Sequence, residues 1–549
     1  MTIPKWRSII NIALLAIFAF SLNWFAGHRG LFLFDSSIVF DGGWRILQGQ
    51  APYRDFAMSH APGAYFYLSA ILWIFGVNFT SLVIAACILN TLAALIAMRL
   101  GELMKAGTGM LAGFITAIWF QPITGFLQVE QSAFFFNLLG LWLLIEARGE
   151  LCKRSFLLRL WAGFALSYAV ICKQNAGGIF VPVALGVMLL LPYAQWKGRA
   201  YALLSVALGA ATCTGLFVLW LYQFSDPALF WHHAVEIPRA FGPARVFSGG
   251  YQKLFRELIA GDAFPISGRW LGRSSLLAGF AGMVHELILH RRASMVAAAS
   301  GLLVGVTLFQ GTFVMSALNQ SANGLPYLGL QLAALACVCH CITASLIQGL
   351  RSAKLNVPFE ARRFELLHLG WLSVLAVMAF ITALQGFAYD WNRMVNEFGN
   401  GTRFEARIDA DGLRNVTWGE PTFADSALQV QIKQEDFEQL FRYLKQRDEN
   451  FFVFPVSTML YGLLQRPSIQ PWLFFIENHS YAAEDVPRLD EATLKSLINH
   501  DVHIYIRERA SWVGIDGDLG KLPRTSHWIE SQFHREETFG IYEVWVRPH

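Results

Sequence analysis

Charged residues are scarce in this sequence. Of its 549 residues, 15% are Asp, Glu, Lys or Arg and 55% are hydrophobic. A soluble globular chain has about a quarter of its residues charged, so the scarcity excludes an ordinary soluble protein and indicates a membrane protein. The formal net charge of +4 is small for this length. Nothing in the charge balance therefore points to a nucleic-acid partner.

Cysteine is also sparse, and none of the seven cysteines lies beyond residue 341. No disulfide framework is therefore expected in the C-terminal part of the chain. The tract Cys337-Val-Cys339-His340-Cys341 has the residue types of a metal site, but it lies inside an apolar segment. Because residues two apart point to different faces of a helix, we interpret the tract as small residues of a membrane helix.

Long apolar runs, in contrast, are abundant. A spanning helix needs about twenty mainly apolar residues. About eleven such runs occur, at residues 8–26, 79–98, 107–121, 126–146, 156–172, 176–194, 200–222, 274–290, 294–313, 326–348 and 366–388. The first run follows Lys5 and Arg7 and has no small-residue cleavage site, so it is predicted to be a signal anchor.

The basic residues of the short connections predict the orientation. If the N-terminus lies inside, every inside loop is basic, as at Lys5 and Arg7, at Arg291 and Arg292, and at Arg351. An odd number of spans then places the C-terminal part outside, which in a bacterium is the periplasm. We therefore expect a multi-pass protein of the bacterial inner membrane.

The composition changes near residue 390, where charged residues become frequent and long apolar runs end. Beyond it, periodicity predicts a helix at 434–447, strands at 451–455 and 503–507, and a hairpin at 533–547. The expected fold is therefore an α-helical polytopic membrane module followed by a C-terminal α/β domain. The module would comprise residues 1–389, with outside loops at 28–76, 223–273 and 310–326, and the domain residues 390–549. Within the first loop, residues 62–76 predict a helix lying along the membrane surface.

The first outside loop carries most of the residues capable of chemistry. Asp35 follows the first span directly, where a carboxylate at the membrane surface needs a partner or a role. Further carboxylates, cations and rings follow it: Asp41, Trp44, Arg45, Tyr53, Arg54, Asp55 and His60. This combination suits a sugar, because carboxylates bind hydroxyls or accept a proton, rings stack, and cations hold phosphate. The alternative is an interfacial loop whose charges face water.

The run from Trp44 to Phe56 (WRILQGQAPYRDF), followed by the run from Ala61 to Tyr65 (APGAY), resembles the first-loop signature of the GT-C superfamily of membrane glycosyltransferases. It looks most like the branch that contains bacterial lipid-A and lipopolysaccharide glycosyltransferases and protein mannosyltransferases. The resemblance implies a GT-C fold in which the acidic residue closing the first span, here Asp35, is the catalytic base.

Two departures from the family pattern are visible. Ser36 stands where many relatives have a second acidic residue, and Asn319, Asn323 and Pro326 stand where relatives often have Asp and His before a proline. Either Asp41 and Glu130 supply the missing acid, or the activity differs from that of the relatives.

Three further positions are candidates for the same site. Lys173 interrupts apolar sequence at the end of the fifth predicted span, similar to a lysine of the family, and could hold a lipid-linked phosphate. The alternative is a lysine that reaches back to the membrane surface. Glu130, at the start of the fourth span, could face the same cavity. In the second loop His232 and Glu236, four residues apart, could ligate a divalent metal or simply cap a surface.

These observations predict a glycosyltransferase with a polyprenyl-phosphate-linked sugar as donor, because nucleotide sugars are cytoplasmic and the candidate site lies outside. Asp35, with Asp41 as second candidate, would accept the proton of the acceptor hydroxyl, and direct displacement would invert the anomeric configuration. Phosphate binding is expected from Lys173, Arg54 and Arg239. Substrate contacts are expected from Trp44, Tyr53, Asp55, His60 and Glu130.

No cofactor is required by this hypothesis, although a divalent metal remains an open alternative. The acceptor would be a lipid, a glycan or a protein, and membrane lipid is a further partner. Two other hypotheses compete. A transporter or flippase of lipid-linked sugars would need broken helices in repeated halves, which the sequence does not show. A sensory membrane protein would leave the residues of the first loop unexplained.

Overall fold

The computed structural model describes residues 5–31, 33–121, 125–147, 152–193, 195–241, 266–317, 325–352, 370, 373–375, 377–386, 388, 407–418, 433–477, 480–509 and 519–548. Three features of the sequence analysis lie outside these ranges: most of the second loop beyond residue 241, Asn319 with Asn323, and the domain boundary near residue 390.

The first part of the chain is helical. Its helices are α1 (Lys5–Gly27), α2 (Leu33–Leu47), α3 (Gly63–Phe75), α4 (Phe79–Met104), α5 (Gly109–Trp119), α6 (Val129–Glu146), α7 (Lys153–Cys172), α8 (Gln174–Leu190), α9 (Trp196–Phe224), α10 (Pro227–Trp231), α11 (Ile266–Met283), α12 (Met295–Ala317), α13 (Leu328–Ser352) and α14 (Ser373–Gly386). Two π-helices continue α10 and α11, at His232–Glu236 and Val284–Leu289.

The predicted polytopic helical fold is confirmed, and each predicted apolar run overlaps a helix. Within the described ranges, seven helices are long and apolar enough to cross a membrane: Ile9–Gly27, Phe79–Met104, Val129–Glu146, Lys153–Cys172, Trp196–Phe224, Met295–Phe313 and Leu328–Gln348. Others are shorter than predicted. Helix α5, for example, rises only about 16 Å, roughly half the thickness of the hydrocarbon layer.

Helix α2 was not predicted from the sequence. Gly42 and Gly43 in its middle weaken the helical signal, because glycine is a poor helix former. Both glycines serve close packing on α3. A Cβ atom on Gly42 would lie 2.3 Å from Cδ1 of Tyr65, and one on Gly43 would lie 2.8 Å from Leu68. The two helices can therefore lie in contact only because side chains are absent here.

The C-terminal domain is built on a four-stranded sheet with strand order β1-β2-β4-β3. Its elements are α15 (Gln434–Lys445), β1 (Asn450–Phe454), α16 (Met459–Leu463), α17 (Val486–Asn499), β2 (Val502–Glu508), α18 (Pro523–Gln532), β3 (His534–Phe539) and β4 (Tyr542–Val546). Strands β1 and β2 are parallel, whereas β4 is antiparallel to both its neighbours. The predicted helix, two strands and hairpin correspond to α15, β1, β2 and β3–β4.

This domain packs directly on α2. Trp44 donates a hydrogen bond from Nε1 to the carbonyl oxygen of Arg466 at 2.9 Å. Gly462 of α16 approaches so closely that a Cβ atom there would lie 2.6 Å from the ring of Phe40. A second attachment joins Ala57 to the domain through hydrogen bonds with the backbone of Pro471 and Leu473, both 2.9 Å long.

A buried ion pair lies at the centre of this interface. Arg45 Nε donates to Asp41 Oδ2 at 2.8 Å, and the two side chains are 1% and 0% exposed. The domain supplies two further hydrogen bonds, because Ser468 Oγ donates to Asp41 Oδ1 and Arg45 Nη1 donates to the carbonyl oxygen of Gln470 at 2.9 Å. A pair of charges without water persists only when it is hydrogen-bonded in this way.

Replacing Arg45 with Met should therefore loosen the domain. The change leaves Asp41 buried without its counter-ion, and we expect a loss of about 3–5 kcal/mol of stability. Thermal unfolding in detergent and limited proteolysis of the C-terminal domain would measure it. The matched control is Arg414→Met, which removes an exposed pair with Asp411 and should cost less than about 1 kcal/mol. Equal stability of the two variants would contradict the assignment.

Candidate functional site

Three charged side chains from separate elements form a cluster, here called the charged cluster: Asp35, Glu130 and Lys173. Asp35 lies in the first turn of α2 and Glu130 in the first turn of α6. Lys173 is the single extended residue between α7 and α8. Lys173 Nζ forms an ion pair with Glu130 Oε1, and the charges of both residues act on Asp35. The structure thus brings together three residues that the sequence suggested separately.

The environment of Asp35 changes its acidity. The pKa of Asp35 is raised to about 7: removal of the carboxyl from bulk water raises it most, the negative charge of Glu130 adds to the shift, and Lys173 opposes it. A carboxyl group with a pKa near neutrality is suited to accept a proton and to release it again. Glu130 is also stabilised as an anion, because it lies at the N-terminal end of α6.

Aromatic side chains of the first loop lie beside the cluster. Tyr65 is fully buried, and its pKa is raised by burial and by the negative charges of Glu130 and Asp35, among others. Its hydroxyl lies 2.6 Å from Nε2 of His60. Tyr53 adopts a left-handed backbone conformation, with φ of 68°, and its hydroxyl donates to the carbonyl oxygen of His60 at 2.7 Å. Both tyrosines therefore fix the position of His60.

The loop and the lysine segment are joined by Gln174. Its Oε1 accepts a hydrogen bond from the backbone of Ala61 at 3.4 Å, and its Nε2 donates to the carbonyl oxygen of Ala234 at 2.7 Å. Gly63 allows the first loop to approach α7 closely. A Cβ atom at this position would lie only 2.9 Å from backbone atoms of Ile171 and Cys172. The first loop thus rests directly on the end of α7 that carries Lys173.

An apolar groove of about 760 Å³ begins beside this segment. It runs between α7, α8 and α9, and on α9 its lining extends from Leu203 to Leu221. Ala61, Gln174 and Phe230 line its end nearest Lys173. The groove is therefore a long apolar channel with a cation beside one end.

The other predicted site residues lie elsewhere. Asp41 and Trp44 contact the C-terminal domain, as described above. Asp55 accepts hydrogen bonds from Arg54 at 2.6 Å and from the backbone of Ala51 at 2.7 Å, and this pair lies at the surface. Arg239 lies on the exposed side of its helix. The contacts described for these residues are with other parts of the molecule.

The described residues contain no set of side chains that would serve as the ligands of the candidate metal site. His232 and Glu236 do meet, at 2.9 Å, but as a hydrogen-bonded pair. No group of three or more His, Cys, Asp or Glu side chains within the described ranges is arranged to hold a metal ion. The cysteine tract lies in α13, where Cys337 is buried and Cys339 and Cys341 are half-buried.

The sequence matches no protein-family model and no curated protein. The structure, however, is similar to that of ArnT from Cupriavidus metallidurans in the apo state, with a TM-score of 0.52 over 98% of each chain and 11% identity. ArnT is a membrane glycosyltransferase of the GT-C superfamily. The present chain has the GT-C fold.

Two further solved structures match the chain at lower similarity. ArnT from Cupriavidus metallidurans bound to undecaprenyl phosphate has a TM-score of 0.44 at 13% identity, over 99% of this chain and 98% of that one. AglB from Archaeoglobus fulgidus, an archaeal oligosaccharyltransferase in complex with an inhibitory peptide and a dolichol-phosphate, also has a TM-score of 0.44, at 11% identity. That match covers 99% of this chain and 74% of AglB. The GT-C fold predicted from the first-loop motif is the fold that the similarity to apo ArnT shows.

Some residues of this candidate site were missed by sequence reasoning. Gln174 could have been noticed, because it follows Lys173 between two apolar runs. Tyr65 could also have been noticed, because it lies at the end of the first-loop motif. Ser468 offered no signal, since it lies in a polar stretch more than 400 residues after its partner Asp41.

Gly63 gives a direct test of the packing in this candidate site. A methyl group at this position would meet backbone that cannot move aside, so Gly63→Ala should separate the first loop from α7 and destabilise the protein by about 1–3 kcal/mol. Gly178→Ala in α8 is the control, because a Cβ atom there meets nothing within 4 Å. That change should be neutral or slightly stabilising. Thermal unfolding of both variants measures the difference, and a Gly63→Ala protein as stable as the control would refute the contact.

Proposed function

We propose that this protein is a membrane glycosyltransferase that transfers a sugar from a polyprenyl-phosphate donor to an acceptor hydroxyl, with inversion. The observation that supports the proposal best is the position of the charged cluster beside one end of the apolar groove. A carboxylate that can accept a proton, a cation and a channel for a hydrocarbon chain are what such a reaction requires.

The apolar groove supports a lipid-linked donor. Its lining on α9 extends over 19 residues, from Leu203 to Leu221, and such a stretch rises about 27 Å. A prenyl chain lying in it would gain free energy from burial and place its phosphate near Lys173. Two of the similar structures contain lipid phosphates, undecaprenyl phosphate in ArnT and dolichol-phosphate in AglB.

In the proposed reaction Asp35 accepts the proton of the acceptor hydroxyl while that oxygen attacks the anomeric carbon of the donor sugar. The bond between the anomeric carbon and the phosphate oxygen breaks, and its electron pair stays on the lipid phosphate. Lys173, supported by Arg54 or Arg239, stabilises the charge that develops there. Because attack and departure take place on opposite faces of the sugar, the anomeric configuration inverts.

Glu130 would have two roles. Its ion pair with Lys173 keeps the ammonium group in place when no phosphate is bound. Its negative charge also raises the pKa of Asp35, which makes that carboxylate a stronger base. A donor phosphate would then compete with Glu130 for Lys173. Donor binding would therefore change the electrostatic environment of Asp35 before the proton is transferred.

The other candidate residues would have supporting roles. Tyr53, Asp55 and His60 shape the loop beside the cluster and would contact the substrates. Asp41, although a carboxylate of the same helix, has both oxygens engaged by Arg45 and Ser468. We therefore assign Asp41 and Trp44 to the attachment of the C-terminal domain. That domain covers the first loop and would help to select the acceptor on the periplasmic side of a bacterial inner membrane.

Asp35→Asn tests the base directly. The amide keeps the shape of the side chain but cannot accept a proton, so transfer should fall by about 10²–10⁴-fold. Wild-type transfer should rise with pH through about 7, because only the deprotonated form of Asp35 is a base. The assay uses the full-length protein in nanodiscs, a panel of radiolabelled polyprenyl-phosphate sugars, and a membrane extract as acceptor.

Asp41→Asn is the matched control in the same helix. It should lower thermal stability, while the folded fraction keeps measurable transfer with the wild-type pH profile, because Asp35 is intact. An Asp35→Asn protein with wild-type turnover would exclude Asp35 as the base. Donor binding without transfer for every acceptor would instead favour a transporter of lipid-linked sugars.

The groove can be tested by filling it. Ala207 lines the groove on α9, and Ala207→Trp would occupy the space of several prenyl carbons. We expect at least about a tenfold weaker affinity for a long-chain polyprenyl phosphate, since each buried CH₂ group contributes about 0.8 kcal/mol. Ala211→Trp, an exposed position on the same helix outside the lining, is the control. Equal affinities of the two variants would show that the chain binds elsewhere.

A further inference from the structure

The helix that follows α9 forms one wall of the groove at its end near Lys173. Residues 227–241, here called the wall segment, are helical throughout, with a π-turn at His232–Glu236. Phe230 of this segment lines the groove and lies with its ring edge-to-face against Tyr53, with centroids 5.2 Å apart. Gln174 donates to the carbonyl oxygen of Ala234 at 2.7 Å. The wall segment therefore contacts both the groove and the segment that carries Lys173.

The opposite side of the wall segment is bonded to the C-terminal domain. His232 Nε2 lies 2.8 Å from Oδ1 of Asp485, at the start of α17. The neighbouring His233 is buried, and its Nε2 accepts a hydrogen bond from Arg488 Nη2 at 2.9 Å. Asp485 is held in turn by the backbone of Ala482, at 2.9 Å. These bonds connect the domain to the wall of the groove.

The bonds of His232 require a particular protonation state. Its Nδ1 lies 2.9 Å from Glu236 and its Nε2 lies 2.8 Å from Asp485. A neutral imidazole has one N–H group, so only the protonated ring can donate to both carboxylates. When the ring loses a proton, one of the two bonds is lost and a nitrogen lone pair faces a carboxylate oxygen.

The charges around the two histidines make His232 the titrating group. Partial burial disfavours its charged form, but the hydrogen bonds to Glu236 and Asp485 raise the pKa of His232 above its ordinary value, against the influence of Arg488. Burial lowers the pKa of His233 to about 4, so this ring stays neutral and continues to accept from Arg488. A raised pKa means that the bonds of His232 are complete at low pH and are weakened as the pH rises.

We propose that His232 is a positioning residue that holds the wall segment at the mouth of the apolar groove through a proton-dependent bond to the C-terminal domain. The inference deepens the proposed function, since it concerns the groove in which the donor's lipid chain would lie. Deprotonation of His232 weakens the bond of the wall segment to Asp485 and leaves the His233–Arg488 bond, Gln174 and Phe230 as its attachments. The groove then opens more readily near Lys173.

Hydrogen exchange measured on full-length protein in nanodiscs tests this proposal without any transfer assay. The protection of residues 227–241 is measured from about pH 6 to about pH 8.5, relative to a free peptide of the same sequence. Wild-type protection should fall by about ten- to a hundredfold as the pH rises, the effect of losing a hydrogen bond to a charged group.

Two substitutions of His232 should make the protection of residues 227–241 independent of pH, one at a high level and the other at a low level. His232→Arg, which can donate to both carboxylates at every pH, should stay protected, and His232→Gln should be weakly protected throughout. His503→Gln, which removes another histidine beside an aspartate, at 3.3 Å from Asp501, is the control and should behave as wild type. The proposal would be overturned if protection in the wild type did not depend on pH, or if His232→Arg and His232→Gln gave the same dependence of protection on pH. Because the readout needs no sugar transfer, failure of the proposed function would leave this result unaffected.

Discussion

The buried pair of Asp41 and Arg45 determines how the two parts of this molecule fit together. Taking two charges out of water costs free energy that hydrogen bonds must offset, and here two of those bonds come from the C-terminal domain, through Ser468 and the backbone of Gln470. The pair therefore favours the docking of the domain on α2 in the register that makes these bonds. Since Asp35 lies on the same helix, about 240° around its axis from Asp41, the docking also fixes where Asp35 points.

The three residues of the charged cluster lie on separate elements, and the place of each residue in its element suits its charge. Asp35 and Glu130 lie in first turns of helices, where a negative charge is stabilised. Lys173 lies in the one-residue break between α7 and α8, so its ammonium group can leave the apolar surroundings of both helices. Helix ends thus bring a carboxyl group and a cation together, while burial and the charge of Glu130 raise the pKa of that carboxyl; in the proposed reaction the two groups are the base and the phosphate ligand.

Sequence patterns indicated the residues of the candidate site better than they indicated the contacts that hold those residues in place. Asp35, Glu130 and Lys173 each interrupt or border an apolar run, where a charge is conspicuous. Asp41 and Asp35 look alike in sequence, yet one is enclosed by the C-terminal domain and the other is half-buried beside Glu130. That difference depends on Ser468, more than 400 residues away, and no local pattern reports such a contact. Helix α2 was missed for a related reason, because its two glycines weaken local propensity and gain stability only from packing on α3.

The C-terminal domain reaches the groove and the cluster by two independent routes. One passes through α2 to Asp35, and the other passes from Asp485 through the wall segment to Gln174, next to Lys173. If the domain selects the acceptor, any shift in it on binding would act on the base and on the phosphate ligand together. A transferase gains from such coupling, because a donor activated before the acceptor is present would be lost to water. In the proposed reaction, the attachment of the domain at both places would make the binding of donor and acceptor depend on each other.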